Sequence, residues 1–427
     1  MRATIPEDPV PMTADEPSSL AADEPPASAA ASALPVLRLK RGEDRRLRAG
    51  HLWVFSNEVD IAATPLTGFV PGAGARVHDH REQFLGYAYV NPHALICARI
   101  LSRSPAHPAD RSLLVHRLKV ALALRERHYA APYYRLVFGE GDGLPGLVLD
   151  RYGDVIVGQI ATAGMETMRA EVEAAVAQVL APQALIWKND GSARELEQLP
   201  RQMLTAFGKL PAELPVVEGV LQFRVPLAGA QKTGWFYDQG ANRELFRRLL
   251  WPDVRVLDVC SYAGAWAITA LRCGAREALC VDSSAGALAV AESNAVSNGV
   301  SVRLIRGDAF DVLDQLQRAG ERFDVVVLDP PAFIKRRKDV PRGTAAYRKL
   351  NQLAMRLLER DALLVSCSCS FHLAADDLVG LLQAAARHNS RFVQILAAGG
   401  QASDHPVHPA IPETRYLKAF FCRVTRA

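Results

Sequence analysis

The feature that most restricts the fold of this sequence is a regular alternation of short apolar runs and helix-periodic segments that begins at Trp251. Strands and helices that alternate in this way predict a doubly wound, mostly parallel sheet, an α/β fold. The predicted strands are 255–259, 278–282, 302–305, 323–328 and 362–366, and the predicted helices are 264–271, 286–298, 309–317 and 350–358. We expect residues 382–387, 394–396 and 418–424 to complete the sheet.

Further folding units are expected before this sheet, because 427 residues suffice for about three domains. Residues 36–104 contain short strand-like runs separated by turn residues, which predict a small β-barrel. Residues 105–226 mix helical and strand patterns, including a helix over 110–129, and predict an α+β middle domain. Residues 1–35 are rich in Pro, Ala, Ser and acids and are predicted to be a disordered tail.

Charge and composition narrow the class of protein. The whole chain has a net charge of +4 and its first 35 residues have a net charge of −5, so the remaining residues carry +9. A basic body is compatible with a polyanionic partner, although surplus Lys and Arg also serve solubility. No apolar run reaches the length of a membrane span and no secretory signal is visible, so a cytoplasmic protein is expected. The seven cysteines show no disulfide framework or zinc-ligand spacing, and no metal is expected.

The predicted barrel carries a possible RNA-contacting surface. Lys40 and Arg41 precede Trp53 in a segment that combines basic and aromatic side chains. Such side chains suit phosphate contacts and base stacking. A solvated basic face beside a core Trp explains the same pattern equally well.

Acids at the predicted strand ends indicate a nucleoside-type cofactor, since ligands of such sheets bind beyond the carboxyl ends of the strands. Asp258 ends the first strand, and Asp282, which is suitably placed for ribose hydroxyls, ends the second. Asp308 follows the third strand and could accept a hydrogen bond from an adenine amine. The neighbouring residues expected in the same site are Ser261, Gly264, Ser283 and Ala309. Cys260 and Tyr262 replace the first glycines of a dinucleotide loop, which favours S-adenosylmethionine.

The next two strand ends indicate the substrate side. The fourth strand leads into Asp329-Pro330-Pro331-Ala332-Phe333, a turn whose carboxylate can accept from an exocyclic amine and whose Phe333 can stack on a flat ring. Lys335 and Arg336 begin a basic loop that suits phosphates. The fifth strand leads to Cys367 and Cys369, either of which could supply a thiolate nucleophile. Strand alternation places both on one side, so geometry does not choose between them.

Several segments together resemble the bacterial 23S ribosomal RNA large-subunit methyltransferases of type I, which form 5-methylcytosine. The resemblance covers about residues 36–427. The segments that carry it are Leu39-Lys40-Arg41-Gly42, Trp53-Val54-Phe55-Ser56, Lys232-Thr233-Gly234-Trp235-Phe236-Tyr237-Asp238-Gln239 with Asn242-Arg243, Leu257 through Gly264, Asp329 through Phe333, Ser368-Cys369-Ser370, Asp404-His405-Pro406 and Tyr416-Leu417-Lys418.

The resemblance implies a PUA-type RNA-binding barrel, an α+β middle domain and a Rossmann-like class I methyltransferase domain over residues 227–427. It implies that Cys369 is the nucleophile, that Asp329 holds the cytosine edge, and that Gln239 and Arg243 cover the cofactor. Gly240 departs from the family pattern, in which arginine is expected after the Asp-Gln pair.

The sequence therefore predicts S-adenosylmethionine-dependent C5 methylation of a cytosine in 23S rRNA through a covalent adduct at C6. The partner is rRNA or an assembling large-subunit particle, and a homodimer is left open. Two alternatives remain: methylation of an exocyclic amine, as in N2-methylguanine, by the Asp329-Pro330-Pro331 turn, and a non-catalytic RNA-binding assembly factor. The base that removes the C5 proton is not evident from the sequence.

Overall fold

A computed structural model describes residues 33–229 and 232–427. The predicted tail, residues 1–35, lies almost entirely outside the described residues. Within the described part of the chain, none of the helices is long and apolar enough to cross a membrane.

The first region is a five-stranded sheet with the order β1-β3-β4-β5-β2. Its strands are β1 (Val36–Arg38), β2 (Trp53–Phe55), β3 (Ala73–His78), β4 (Phe84–Val90) and β5 (Ile96–Ser102), with a short helix α1 (Arg45–Arg48). Strands β1 and β3 are parallel and the other pairs are antiparallel. Leu37, Val54, Val77 and Ile100 are fully buried in the core, and Ile411 packs into it from the last region. Strand β2 was not among the predicted strands.

The middle region is a second five-stranded sheet with the order β10-β9-β8-β7-β6, packed against helices. The strands are β6 (Tyr133–Phe138), β7 (Leu147–Tyr152), β8 (Val155–Ile160), β9 (Ala184–Asn189) and β10 (Gln202–Phe207), and the helices are α2 (Arg111–His128), α3 (Ala163–Thr167) and α4 (Arg169–Leu180). Asp110 begins α2 by accepting a hydrogen bond from Leu113 N, an ordinary N-cap. A separate hairpin follows, formed by β11 (Glu213–Glu218) and β12 (Leu221–Pro226).

The last region contains a seven-stranded sheet with the order β15-β14-β13-β16-β17-β19-β18. The strands are β13 (Arg255–Val259), β14 (Glu277–Asp282), β15 (Arg303–Arg306), β16 (Phe323–Leu328), β17 (Leu358–Ser368), β18 (Arg391–Gly400) and β19 (Lys418–Arg426). The helices are α5 (Gly240–Leu249), α6 (Ala265–Arg272), α7 (Ala285–Ser297), α8 (Ala309–Arg318), α9 (Val340–Leu357) and α10 (Ala375–His388). The predicted strand at 382–387 is wrong, because these residues belong to α10, whose Leu378, Leu382 and Ala385 face the core at helical spacing.

The order of this sheet fixes where a ligand can bind. Strand β13 pairs in parallel with β14 on one side and with β16 on the other, so the chain changes direction across the sheet at β13. The crevice outside the carboxyl ends of such strands is the usual ligand position. Strand β19 runs antiparallel to β17 and therefore begins at the same edge, which brings Lys418 opposite Ser368.

Candidate functional site

The loop after β13 is held in a conformation that normally requires glycine. Cys260 and Tyr262 have φ angles of 63° and 47°, and Gly264 has 77°. Non-glycine residues in this left-handed region are each strained by about 1–3 kcal/mol. Hydrogen bonds from Cys260 N and Ser261 N to Val281 O keep the loop against β14. A Cβ on Gly264 would lie 3.0 Å from Ala291 Cβ, so the glycine also permits close packing of α7.

The predicted cofactor acids meet at one edge of the sheet. Asp258 is fully buried, and burial raises its pKa to about 8. One of its oxygens accepts from Ala267 N at 3.1 Å, and the other has no partner among the described residues. Asp282 accepts from Tyr262 N and Ser284 N, whereas Asp308 accepts from Phe310 N. Burial raises the pKa of Cys260, and the negative charges of these acids and of Asp329 raise it further.

The remaining predicted cofactor residues lie beside these acids. Ser261 is buried, and its hydroxyl has no partner among the described residues. Ser283 is exposed and Ala309 is half-buried, each next to one of the acids. Two buried polar atoms without hydrogen-bond partners among the described residues, Asp258 Oδ1 and Ser261 Oγ, therefore lie at the same strand end as part of this group of carboxylates. This donor and acceptor set fits a cationic, hydroxyl-bearing nucleoside cofactor.

Asp329 lies at the carboxyl end of β16, at the switch point. Its two oxygens accept from Gln239 Nε2 at 2.7 Å and from Trp266 Nε1 at 3.1 Å. Burial raises the pKa of Asp329 to about 6. Gln239 is buried and its own oxygen accepts from Asn242 Nδ2, so the amide is fixed in orientation. Trp266 was not identified from the sequence. A tryptophan in the first turn of a helix gives no sign of whether its indole N–H donates to a carboxylate or whether the side chain only packs in the core.

Arg243 contacts the segment that precedes Gln239, the residue hydrogen-bonded to this carboxylate. Its guanidinium binds Glu218 of the hairpin and Phe236 O, and it stacks on Trp235 with 5.3 Å to the ring centroid. Arg243 thus fastens the segment 235–236 to β11. Gly240 lines a cavity of about 460 Å³ together with Glu218 and Arg243, on the outer side of α5.

The structure separates the two cysteines that the sequence left equivalent. Cys367 is 1% exposed and packs in the core with Val365, Ala419 and Phe421. Strand β17 ends at Ser368, and Cys369 is half-buried with Sγ 3.9 Å from Pro330 O. Burial raises the pKa of Cys369, an effect that Lys232 opposes.

Ser370 fixes the turn that carries Cys369. Its N–H donates to Ser368 Oγ, and its Oγ accepts from Ile334 N at 3.1 Å and shares a hydrogen bond with Tyr347 OH. Its carbonyl accepts from Lys418 Nζ at 2.6 Å. The turn is therefore tied to three other elements, and it faces the Asp329 turn.

The predicted RNA-contacting residues lie in two places. Phe333 packs against Tyr347 with 4.8 Å between ring centroids, and Lys335 and Arg336 are exposed beyond it. In the barrel, Lys40 and Arg41 are exposed, and Lys40 Nζ donates to Asn57 O. Trp53 is half-buried and donates to Glu140 Oε1 at 2.8 Å, so it joins the barrel to the turn after β6.

The sequence reasoning missed a group of polar residues close to Cys369: Lys232, Asp238, Tyr416 and Lys418. Tyr416 OH donates to Asp238 Oδ2 at 2.5 Å, and Lys418 Nζ donates to Tyr416 O at 2.9 Å. Burial lowers the pKa of Lys418 to about 8. The only signal available was the presence of these residues in the quoted segments 232–239 and 416–418.

Comparisons of the sequence with known proteins identify the domains and the family. Residues 37–103 match the model of a PUA-like domain, and residues 207–422 match the model of an S-adenosylmethionine-dependent methyltransferase. The chain is 33% identical over 398 residues to the ribosomal RNA large subunit methyltransferase I of Salmonella arizonae, covering 91% of this chain and 98% of that protein. It is 35% identical over 399 residues to the protein of the same name from Erwinia tasmaniensis, covering 91% and 99%.

Solved structures show the same fold. A candidate methyltransferase crystallised with SAH superposes with a TM-score of 0.78 at 20% identity, over 91% of this chain and 100% of that one. A candidate SAM-dependent methyltransferase from Streptococcus mutans gives a TM-score of 0.76 at 19% identity, with the same coverage.

Proposed function

Because this chain belongs to the ribosomal RNA large subunit methyltransferase I family of S-adenosylmethionine-dependent enzymes, we propose that it methylates C5 of a cytosine in large-subunit ribosomal RNA. The observation that supports this reaction best is the pairing of Cys369 with the Asp329 turn. The thiol that follows the fifth strand contacts the turn that follows the fourth, with Sγ 3.9 Å from the carbonyl oxygen of Pro330, the residue after Asp329. A flat base between them would meet a nucleophile and an edge-binding group together.

Residues at the ends of β13, β14 and β15 would hold the cofactor. Asp282 would bind the ribose hydroxyls, Asp308 and Ala309 the adenine, and Asp258 and Ser261 the cationic amino-acid end. When bound, S-adenosylmethionine supplies an electrophilic methyl group. Gln239 orients Asp329 through their hydrogen bond, and Arg243 supports the same segment from behind.

Cytosine C5 is a poor nucleophile, and the chain's own residues must activate it. The Cys369 thiolate adds to C6, the electron pair of the C5–C6 double bond forms a C4–C5 double bond, and the C4–N3 electron pair moves to N3. C5 of this enamine is the nucleophile that takes the methyl group, and the C4–N3 double bond then reforms. Asp329, with a pKa of about 6, can hold or share a proton at the N3 and N4 edge. Once C5 has been methylated, its proton leaves, the C5–C6 double bond reforms, and the C6–S bond breaks to return the thiolate.

The RNA must be presented with the target base unstacked, since Asp329 and Cys369 are both partly buried and a base inside a stacked helix could not reach them. Phe333 offers an aromatic face near the turn, and Lys335 and Arg336 offer positive charge at its mouth. Lys40, Arg41 and Trp53 provide a second contact area on the barrel, with Trp53 also holding the barrel to the middle region. The partner is rRNA, either free or in an assembling large-subunit particle.

One observation favours a second chemistry. Burial raises the pKa of the Cys369 thiol, which disfavours the thiolate in the cofactor-free protein. Methylation of an exocyclic amine needs only the Asp329-Pro330-Pro331 turn and no cysteine. In that case Cys369 would pack against Pro330 without reacting.

Product analysis separates these chemistries. The purified protein is incubated with tritiated S-adenosylmethionine and unmodified 23S rRNA, and the digested RNA is resolved into nucleosides. We expect label in 5-methylcytidine. Label in N2-methylguanosine would instead establish the amine reaction, and RNA binding without label, on both free rRNA and assembling particles, would indicate a binding factor.

A further inference from the structure

We propose that Asp238 is the base that removes the C5 proton, an assignment that rests on the proposed cytosine chemistry. Asp238 is 4% exposed and lies in the short turn Tyr237–Gln239, directly before the residue that orients Asp329. Tyr416 OH donates to its Oδ2 at 2.5 Å, whereas its Oδ1 has no hydrogen-bond partner among the described residues. A buried carboxylate oxygen without a donor is costly and calls for a functional explanation.

Sequence and hydrogen bonds together put Asp238 near both reacting groups. Asp238 directly precedes Gln239, which donates to Asp329. Its hydrogen-bond donor Tyr416 accepts through its own carbonyl from Lys418, which also donates to the carbonyl of Ser370, next to Cys369. The charge of Asp238 contributes to raising the pKa of both Cys369 and Asp329, after the larger effect of burial, in keeping with this position.

The protonation state of Asp238 suits this role. Burial opposes ionisation, but Lys232, His405, Arg135 and the hydrogen bond from Tyr416 together hold the pKa of Asp238 below its ordinary value. The carboxylate is therefore available as an acceptor across the working pH range.

The other nearby groups are less suitable acceptors. Both oxygens of Asp329 already accept hydrogen bonds, and Lys418 donates to two carbonyls. Tyr347 OH is engaged with Ser370 Oγ. Asp258, with a pKa of about 8, retains its proton near neutral pH and lies on the cofactor side.

The proton transfer can be written with all bonds accounted for. A methyl group added to the face of C5 opposite the sulfur would leave the C5 hydrogen on the same face as the sulfur. The C5–H bond then breaks with the proton passing to Asp238 Oδ1. The electron pair of the broken C5–H bond forms the C5–C6 double bond, and the C6–S bond breaks to leave the thiolate. Lys232 favours this thiolate electrostatically.

The test is a single-turnover reaction of wild type and Asp238→Asn with labelled cofactor and ordinary rRNA, sampled on denaturing gels. We expect Asp238→Asn to accumulate a labelled protein–RNA complex stable to detergent, with release of 5-methylcytidine slowed by about 10²-fold or more. Wild type should show the complex only transiently. Release by Asp238→Asn at the wild-type rate would overturn the proposal, as would absence of the complex when cofactor affinity is unchanged.

Two further measurements keep the result interpretable. Tyr416→Phe keeps the carboxylate and removes only its hydrogen bond, so it should not accumulate the complex. If Asp238→Asn does not fold, Asp238→Ala should form the complex and release product when formate is added, and failure of formate to accelerate release would overturn the proposal. Absence of 5-methylcytidine from the wild-type reaction would refute the proposed function itself.

Discussion

The two sides of the switch point are stabilised by interactions of very different range. On the cofactor side, the acids bind backbone amides close along the chain. Asp282 accepts from Ser284, Asp308 from Phe310 and Asp258 from Ala267, at separations of 2, 2 and 9 residues, and the longest bond, from Tyr262 to Asp282, spans 20 residues. On the substrate side, Gln239 reaches Asp329 across 90 residues, Lys418 reaches Ser370 across 48, and Tyr416 reaches Asp238 across 178.

This difference shows how each side is maintained. The cofactor side needs each strand end and the helix after it to form correctly, together with the contact of the loop after β13 with the neighbouring strand β14. The substrate side needs the segment 232–239, the turn 366–370 and the start of β19 to be assembled together. Changes there should alter chemistry without altering cofactor binding, and changes at the strand ends should do the reverse.

The largest effect is expected for Cys369→Ala on the substrate side. Loss of the nucleophile should reduce 5-methylcytidine formation by about 10³-fold or more, while cofactor affinity measured by calorimetry stays within a few-fold of wild type. Cys367→Ala is the matched control, because Cys367 lies two residues away but packs in the core. It should lose about 1 kcal/mol of stability and keep its activity. Equal activity of both variants would show that the reaction needs no thiol.

The next effect is expected for Asp258→Asn on the cofactor side. Bound S-adenosylmethionine is cationic and favours the ionised carboxylate, so binding should release the Asp258 proton below pH 8. Wild-type affinity should therefore rise from pH 6 to pH 8, whereas that of Asp258→Asn should be about 10-fold or more weaker and nearly independent of pH. Calorimetry in buffers of different ionisation enthalpy measures the released proton. Equal pH dependence in the two proteins would contradict the assignment.

The same residue makes a prediction about stability. The pKa of Asp258 is about 8 in the folded, cofactor-free protein and about 3.9 in the unfolded chain, so the folded state binds the extra proton. Its contribution to stability is present at low pH and is lost as pH rises from about 4 to about 8. Asp258→Asn should consequently gain thermal stability relative to wild type across that range, in unfolding scans without cofactor. A constant difference would argue against a protonated Asp258.

The same contrast explains what the sequence could predict. Strands 255–259 and 323–328 were predicted at their observed bounds, because buried parallel strands give unmistakable apolar runs. The acids at the strand ends followed directly from that pattern, although their roles as cofactor ligands remain predictions. Residues 382–387 were assigned wrongly because a six-residue segment with a few apolar residues does not distinguish a strand from part of a helix.

The long-range contacts could not be predicted in this way. The bonds from Gln239 and Trp266 to Asp329, and from Tyr416 to Asp238, join residues whose separation carries no periodic signal. Cys367 and Cys369 differ only because β17 ends at Ser368, and strand ends are the least predictable part of a strand. The family resemblance identified the segments that contain these residues, but only the structure shows which of their atoms are in contact.

A moderate effect is expected at the mouth of the substrate side. Replacing Lys335 and Arg336 together by Ala should weaken RNA binding by a few-fold to about tenfold and reduce the slope of log affinity against log salt by up to about 2. Arg318→Ala is the matched control, since Arg318 is also exposed but ends α8, the helix that begins at the carboxyl edge of the sheet. An equal loss for both would indicate general charge attraction rather than a defined contact.

The smallest effect is expected for Trp266→Phe. Trp266 is the residue that joins the cofactor side and the substrate side of the switch point. Trp266 lies in α6 beside the cofactor loop, yet its indole N–H donates to Asp329 on the substrate side and lowers the pKa of that carboxyl, against the larger effect of burial. Phe fills most of the same space, so cofactor affinity should hardly change. The pKa of Asp329 should rise, and the acid limb of the pH–rate profile should move to higher pH.

Gln239→Glu would remove the other donor and is expected to shift the limb further, because it adds a carboxyl beside Asp329. An unshifted profile in Trp266→Phe would mean that the ionisation of Asp329 does not control the rate, and that the two sides of the switch point act independently.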